Sequence, residues 1–429
     1  MGASGAGKST LLQALAGLLD QSSGDQEGEL AVRGRAGLVL QDPETQLVMA
    51  RAGDDVAFGL ENHCVPTSEL WPRVHRALAD VGFPYPEDRA TAALSGGEKQ
   101  RLAIAGILAL RPHVLLLDEP TANLDPDGAR AIRGVLARIA ERRDVTMIVV
   151  EHRVADVLPL VDRVIVIEAG GGVVADGPPE AVFAREGERL KALGVWVPSA
   201  PPAAPPRRTA AGGEAIAARD LSYLYPRGEA AALDGVAATV TRGSALAITG
   251  PNGSGKSTLA MLLAGLLRPQ RGEVHAFGED PSRLPPRELV RRIGTVFQDP
   301  EHQLVAARVD DELGVGPRAI GLGNDEIDRR VRDLLERLDL AKVAAANPFT
   351  LSGGEKRRLS VGTALATSPG ALVLDEPTFG QDRRTFAELL ALLAEFREGG
   401  GAIAFASHDE LFVDAFADER LRLEQGRAA

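Results

Sequence analysis

GPNGSGKST, residues 250–258, and GASGAGKST, residues 2–10, are two copies of one glycine-rich stretch, and they fix how the rest of the chain is divided. In each, a Gly-x4-Gly-Lys-Ser pattern opens a helical run, KSTLLQALAGLL at Lys8 and KSTLAMLLAGLL at Lys256. Glycines at such a turn let successive backbone N–H groups curl around a phosphate. The helix that follows adds its dipole to that attraction. A lysine at this place reaches the β- and γ-phosphates, and the serine hydroxyl is a magnesium ligand. The pattern therefore predicts two nucleoside-triphosphate sites. Gly2, Gly5, Gly7, Lys8, Ser9 and Thr10 belong to the first, and Gly250, Asn252, Gly253, Gly255, Lys256, Ser257 and Thr258 to the second.

The copies extend over whole domains. QDPETQLVMAR at Gln41 returns as QDPEHQLVAAR at Gln298, LSGGEKQRLAIA at Leu94 as LSGGEKRRLSVG at Leu351, and LLLDEPT at Leu115 as LVLDEPT at Leu372. Lys8 and Lys256 lie 248 residues apart, whereas Gln41/Gln298, Ser95/Ser352 and Asp118/Asp375 are each 257 apart. The extra nine residues fall in GEDPSRLPPRELVRRIG of the second copy. Solenoid repeats have far shorter periods, so this is one domain duplicated in tandem. We expect a first domain over 1–196, a linker over 197–214 and a second domain over 215–429. The linker, within VPSAPPAAPPRRTAAGGEA at 197–215, is too rich in Pro and Ala to build a core and reads as an extended tether.

Bulk properties narrow the class. The chain has 429 residues, 45% apolar and 25% charged, as in ordinary globular proteins. A net charge of −12 argues against binding duplex nucleic acid, which needs a basic footprint. The single cysteine, Cys64, leaves no internal disulfide and fits a reducing compartment. No apolar run approaches the ~20 residues of a membrane helix. Short apolar runs, HVLLLD at 113–118 and VTMIVV at 145–150, alternate with helical stretches such as 96–110. This predicts an α/β fold with a mainly parallel sheet covered on both faces.

The apolar strands end in acid pairs, Asp118-Glu119 and Asp375-Glu376. An aspartate there suits Mg²⁺, and the glutamate beside it suits a general base acting on water. The bland alternative is a pair of carboxylates capping a strand end. Ser95-Gly96-Gly97 and Ser352-Gly353-Gly354 head helices and form a second kind of anion site. A domain that already has a phosphate loop has little use for one of its own. The serine sites make sense if each closes on the nucleotide held by the other half.

With these motifs in this order, the whole chain resembles a pair of ATP-binding-cassette (ABC) ATPase domains in one polypeptide. The resemblance implies a P-loop fold with a helical signature subdomain and an antiparallel β part. It also implies a head-to-tail sandwich of the two halves, with Ser352 facing Lys8 and Ser9, and Ser95 facing Lys256 and Ser257. ATP and Mg²⁺ are the implied cofactors, the metal being held by Ser9, Gln41 and Asp118 and by Ser257, Gln298 and Asp375. Glu119 and Glu376 would be the bases, and His152 and His408 the histidines that contact the γ-phosphate. Tyr225 resembles the aromatic that stacks on adenine; the alternative is a tyrosine packed under a turn. Asp382 takes the place of Asp125 in a looser match, FGQD against ANLDP. Neither half lacks a catalytic motif, so two hydrolytic sites are expected.

QDPETQLVMARAGDDVAFGLEN (41–62) and, more loosely, QDPEHQLVAARVDDELGVG (298–316) resemble the coupling segment of energy-coupling-factor (ECF) importer ATPases. There it receives a transmembrane partner, with Leu47, Val48, Met49 and Leu304, Val305, Ala306 as the apolar contact; internal packing is the alternative. The implied setting is the cytoplasmic face of the cell membrane, with a transmembrane coupling subunit and a substrate-binding membrane subunit. The cargo would be a vitamin, a vitamin precursor or a transition-metal ion. A conventional ABC importer ATPase and a soluble double-ABC translation factor stay open as rivals. A chromosome-type ATPase does not, because only 87 residues separate Lys8 from Ser95 and leave no room for a coiled coil. Finally, Ala215–Thr249 precede the second phosphate loop where Met1 alone precedes the first. We therefore expect the first domain to lack its N-terminal strands, and the fold to begin upstream of the sequence as given.

Overall fold

The computed structural model describes the chain except for residues 4, 20–26, 123, 152–153, 169, 171, 199–204, 206–211, 227–229 and 379–380. It divides into two compact units, Met1–Ala200 and Pro201–Ala429.

In the first unit β1 (Ala36–Val39), β2 (Val114–Asp118) and β3 (Thr146–Val150) form a parallel sheet in that order. β2 is buried along its length, which is why VLLLD reads as a continuous apolar run rather than an alternating one. α1 (Lys8–Ala16) packs on β1 and β2, and α5 (Pro126–Arg142) follows β2. α2 (Ala52–Asn62), α3 (Thr67–Asp80) and α4 (Gly96–Ala109) pack together as a helical subdomain. α4 is apolar nearly all round, with Leu102, Ile104 and Ala105 fully buried, so it forms the centre of that subdomain. The short α6 (Val154–Val157) leads to a separate antiparallel pair, β4 (Val164–Glu168) and β5 (Gly172–Gly177), covered by α7 (Pro179–Ala192).

The second unit opens with an antiparallel sheet of β6 (Glu214–Tyr223), β7 (Leu233–Thr241) and β9 (Arg271–Ala276), in the order β7-β6-β9. β8 (Ala245–Thr249) enters the main sheet. Its other strands are β10 (Ile293–Val296), β11 (Ala371–Asp375), β12 (Ala402–Ala406), β13 (Glu419–Glu424) and β14 (Arg427–Ala428). The order is β10-β11-β12-β8-β13-β14, parallel up to β13. α8 (Lys256–Leu263) runs from the phosphate loop, and α9 (Pro286–Arg292) precedes β10. α10 (Val309–Ala319), α11 (Asn324–Arg337) and α12 (Gly353–Ala366) make the helical subdomain. α13 (Arg383–Glu398) and α14 (Glu410–Phe416) complete the unit.

Among the described residues the first unit has no counterpart of the β7-β6-β9 sheet, and the main sheets differ at one strand. β8 joins β12 to β13 in the second unit, whereas no described strand lies between β3 and β4 in the first. Among the described residues Met1 pairs with β4 on the side away from β5: its nitrogen donates to Ile165 O at 2.7 Å and its carbonyl accepts from Ile167 N at 2.9 Å. In the second unit the matching residue, Thr249, lies opposite Arg422 of β13. Packing follows the pairing. β12 is buried at all five positions, while Met147, Ile148 and Val149 of β3 are only half-buried. Apolar side chains on the two sides form separate clusters, Leu12, Leu38, Leu116 and Val150 in one and Val164, Val166, Ala175 and Val182 in the other. Val195 and Val197 are buried with the second of these.

Candidate nucleotide sites

The second phosphate loop follows β8 and the first follows Met1, and each leads into a helix whose first residue is the lysine. Gly250, at φ 141°, stands so close to β13 that a Cβ would lie 2.2 Å from Leu423 O. Gly2 meets the same obstacle at Ile167 O, 2.4 Å away, so only glycine fits either place. Lys256 Nζ donates to Gly250 O at 2.9 Å and Pro251 O at 3.0 Å; Lys8 Nζ donates to Gly2 O at 3.0 Å and Ala3 O at 2.8 Å. The two lysines, each 7% exposed, thus lie across their own loops. α1 and α8 begin after a left-handed glycine, Gly7 or Gly255, and neither takes a side-chain cap. Backbone N–H groups with that geometry and a helix dipole behind them suit an anion. Tyr225 lies beside α8, its hydroxyl 3.2 Å from Thr258 Oγ1 and its ring edge-on to Tyr223 at 5.0 Å. It is 39% exposed, which leaves a ring surface for stacking.

The acid pairs stand at the carboxyl ends of β2 and β11, where open parallel sheets bind ligands. Glu119 and Glu376 both adopt φ 47°, a left-handed conformation that costs a residue with a Cβ on the order of 1–3 kcal/mol. Their amides donate to the last carbonyl of the neighbouring strand, Val150 O and Ala406 O, each at 2.9 Å. Asp375 Oδ1 is a buried oxygen without a hydrogen-bond partner. Burial pushes the Asp375 carboxyl up, against a hydrogen bond from Ser257 and the charges of Lys256 and Arg357. A buried carboxylate oxygen, a serine hydroxyl and the Gln298 amide are hard oxygen donors, so the residues fit Mg²⁺. Among the described residues no group of three His, Cys, Asp or Glu makes a metal cage.

The remaining groups converge on the glutamates. Gln41 Nε2 donates to Glu119 Oε2 at 3.0 Å. In the second half His408 Nδ1 is 2.7 Å from Glu376 Oε1, and Ser407 Oγ donates to Glu376 Oε2 at 3.1 Å. His152 lies outside the described residues. Two acids absent from the sequence reading hold the adjacent turns. Glu151 Oε1 accepts from Thr121 N at 3.1 Å and Thr121 Oγ1 at 2.6 Å, while Asp409 Oδ2 accepts from Thr378 Oγ1 at 3.1 Å. Both flank the histidine positions, and their being next to them is the one signal that could have singled them out.

Ser95 and Ser352 head α4 and α12 in capping boxes with Glu98 and Glu355. Ser352 N donates to Glu355 Oε2 at 2.9 Å and Ser95 N to Glu98 Oε2 at 2.8 Å, so both serines are engaged by their own helices. Asp125 and Asp382 each cap the helix that follows, accepting from Gly128 N at 2.7 Å and Thr385 N at 2.8 Å. The looser FGQD match therefore keeps the same capping geometry. Of the apolar residues after each glutamine the leucines pack inward, Leu304 being buried and Leu47 partly so, while Val48 and Val305 are 62% and 74% exposed. A carboxylate lies under each valine. Asp55 Oδ1 accepts from Val48 N and Met49 N at 2.7 and 2.8 Å, and Glu312 Oε2 from Val305 N and Ala306 N at 2.9 and 2.6 Å.

The model of the ABC transporter family matches residues 1–122 and 233–379, and the chain belongs to that family. It is an ABC ATPase with two cassettes in one polypeptide, a P-loop α/β protein that binds and hydrolyses ATP. Among its relatives, YkoD of Bacillus subtilis (strain 168), named for ATP binding in HMP/thiamine import, is 34% identical over 99% of this chain and 83% of its own. An ABC transporter ATP-binding protein of Caldanaerobacter subterraneus is 34% identical over 100% and 84%. Among solved structures, cbiO1 from Clostridium perfringens, part of the ABC transporter complex cbiONQ, aligns with 50% of this chain and 87% of its own. Its identity is 33% and the TM-score 0.45. No described helix is long and apolar enough to cross a membrane.

Proposed function

We propose that this chain is the ATP-hydrolysing subunit of an ECF-type importer, working at the cytoplasmic face of the membrane. The observation that carries this reading is the exposed valine on its carboxylate-held turn. Val48 lies seven residues after Gln41, and Val305 seven after Gln298, so a partner seated there is tied to the γ-phosphate end of the site. That partner is a transmembrane coupling subunit, joined by a small membrane subunit that binds the cargo. The name of the Bacillus relative supports a thiamine precursor or a similar vitamin-related molecule as that cargo.

The roles follow from the donor sets. The glycine-loop amides with Lys8 or Lys256 hold the β- and γ-phosphates, and Thr10 and Thr258 extend the helix-start amides around them. Tyr225 offers its ring to adenine in the second half. Ser9, Gln41 and Asp118, and likewise Ser257, Gln298 and Asp375, hold Mg²⁺, which when bound neutralises charge on the β- and γ-phosphates. Glu119 and Glu376 take the proton of the attacking water, and His152 and His408 fix the γ-phosphate. In a head-to-tail sandwich, Ser352-Gly353-Gly354 would complete the first site and Ser95-Gly96-Gly97 the second.

Affinity purification of the chain from native membranes tests the reading. It should bring down one polytopic coupling subunit and one small membrane protein that binds a vitamin-like ligand. A soluble periplasmic-type binding protein as the required companion would favour a conventional importer, and ribosomes a translation factor.

A further inference from the structure

The glutamine loops of the two halves are fastened in different ways. Both share an exposed ion pair to the signature helix, Lys99–Glu44 and Lys356–Glu301, each at 2.5 Å. Among the described residues, the second half adds buried links that the first does not. Arg357 of α12, 1% exposed, donates through Nη1 to Phe297 O at 2.6 Å and through Nη2 to Gln298 O. Gln303 then donates through Nε2 to Ser360 O at 2.9 Å, accepts from Ser360 Oγ at 2.8 Å, and bonds Thr363. In the first half the residue in the place of Arg357 is Gln100, equally buried, whose Nε2 has no hydrogen-bond partner. Ala103 and Gly106 stand where the second half has Ser360 and Thr363, so α4 offers no hydroxyl at those two positions. Gln46, the counterpart of Gln303, turns back on its own loop, donating to Leu38 O at 2.8 Å and accepting from Leu40 N at 3.0 Å.

We infer that Arg357 and Gln303 clamp the Gln298 loop to the signature helix, so that loop and helix move as one body in the second half, while the Gln41 loop moves apart from its helix. Arg357 is a positioning residue: it acts through the carbonyl of Gln298. Two carbonyls gripped by one buried guanidinium fix the loop far better than an exposed ion pair, which is worth about 0.2–1 kcal/mol. The guanidinium carries its own burial cost, which pulls it down to about 10, against the charges of Glu376, Asp375 and Asp299. Neutral Gln100 carries no such cost and supplies no such grip.

Backbone amide exchange on the intact chain without nucleotide tests the clamp directly. Residues 297–306 should exchange about tenfold more slowly than 40–49. Arg357→Gln and Gln303→Ala should each accelerate 297–306 severalfold while leaving β11 and β12 unchanged, Arg357→Lys should fall between, and Gln100→Arg should slow 40–49. Because Arg357→Gln removes a buried charge, Gln303→Ala serves as the milder cut should that variant misfold. Unchanged exchange at 297–306 in both variants, or acceleration spread evenly over the unit, would overturn the inference. The kinetic consequence rests on the proposed role of Gln298. In a Glu119→Gln background, Arg357→Gln should raise the Mg²⁺ concentration for half-maximal turnover about fivefold. A loosened loop with unaltered Mg²⁺ dependence would leave the clamp standing and remove Gln298 from the metal site.

Discussion

Glu376 is held by His408 across 2.7 Å, whereas Glu119, 257 residues earlier in the same motif, is held by Gln41 across 3.0 Å. In the second half the histidine after β12 is already on the carboxylate, and in the first the glutamine after β1 is.

Replacing Glu376 by Gln should remove turnover at the second site and leave that of the first. A base of this kind contributes roughly 10²–10⁴-fold. Phosphate release should therefore drop to the share carried by the first site, and fall a further hundredfold or more in the Glu119→Gln, Glu376→Gln double variant. Total loss in the single variant would contradict two hydrolytic sites.

Glu151→Ala strips the acceptor from both Thr121 groups in a buried place. Leaving such donors unsatisfied costs about 1–3 kcal/mol. The first unit should melt earlier in differential scanning calorimetry, with the transition of the second unit unmoved.

Val48→Asp and Val305→Asp change exposed side chains, so stability should shift by no more than about 0.5 kcal/mol and basal ATPase should persist. Capture of the coupling subunit should fail. Retained capture in the double variant would place the docking surface elsewhere.

Arg142 hydrogen-bonds Asp80 bidentately, at 2.9 and 2.6 Å, and that bond holds the Asp80 carboxyl below its ordinary 3.8. A lowered acid stabilises the fold above the unfolded value and loses that contribution as pH falls from 3.8 through the folded value. The pair is partly exposed, so about 0.5–1 kcal/mol is expected. The urea midpoint of Asp80→Asn should lie below wild type at pH 7, and the gap should narrow at pH 3.

Glycine loops, acid pairs and signature serines were legible because each is a contiguous string that recurs. The repeat also set Met1 against the end of SALAIT at 244–249. That Met1 pairs with β4, as Thr249 pairs with β13, could not be read, since it depends on residues more than 160 positions away. The holding carboxylates escaped for the same reason. Thr121 and Glu151 are 30 residues apart in the chain, and nothing local ties a threonine after Asp-Glu-Pro to the residue before a histidine. Asp55 and Glu312 read as ordinary first-turn acids of α2 and α10, and only the folded turn shows them accepting from the valine loops. Burial also had to be seen to separate Leu304 from Val305, adjacent members of one apolar cluster.

The left-handed backbone at Glu119 and Glu376 bears on how their variants are to be interpreted. Glutamine has the same Cβ and the same conformational penalty there as glutamate, so Glu→Gln alters neither turn. Any change in nucleotide affinity between wild type and Glu376→Gln then reports one negative charge and one proton acceptor. Glycine at the same place would also relax the main chain by on the order of 1 kcal/mol. It would tighten or loosen the site for reasons unrelated to the carboxylate, and makes the poorer control.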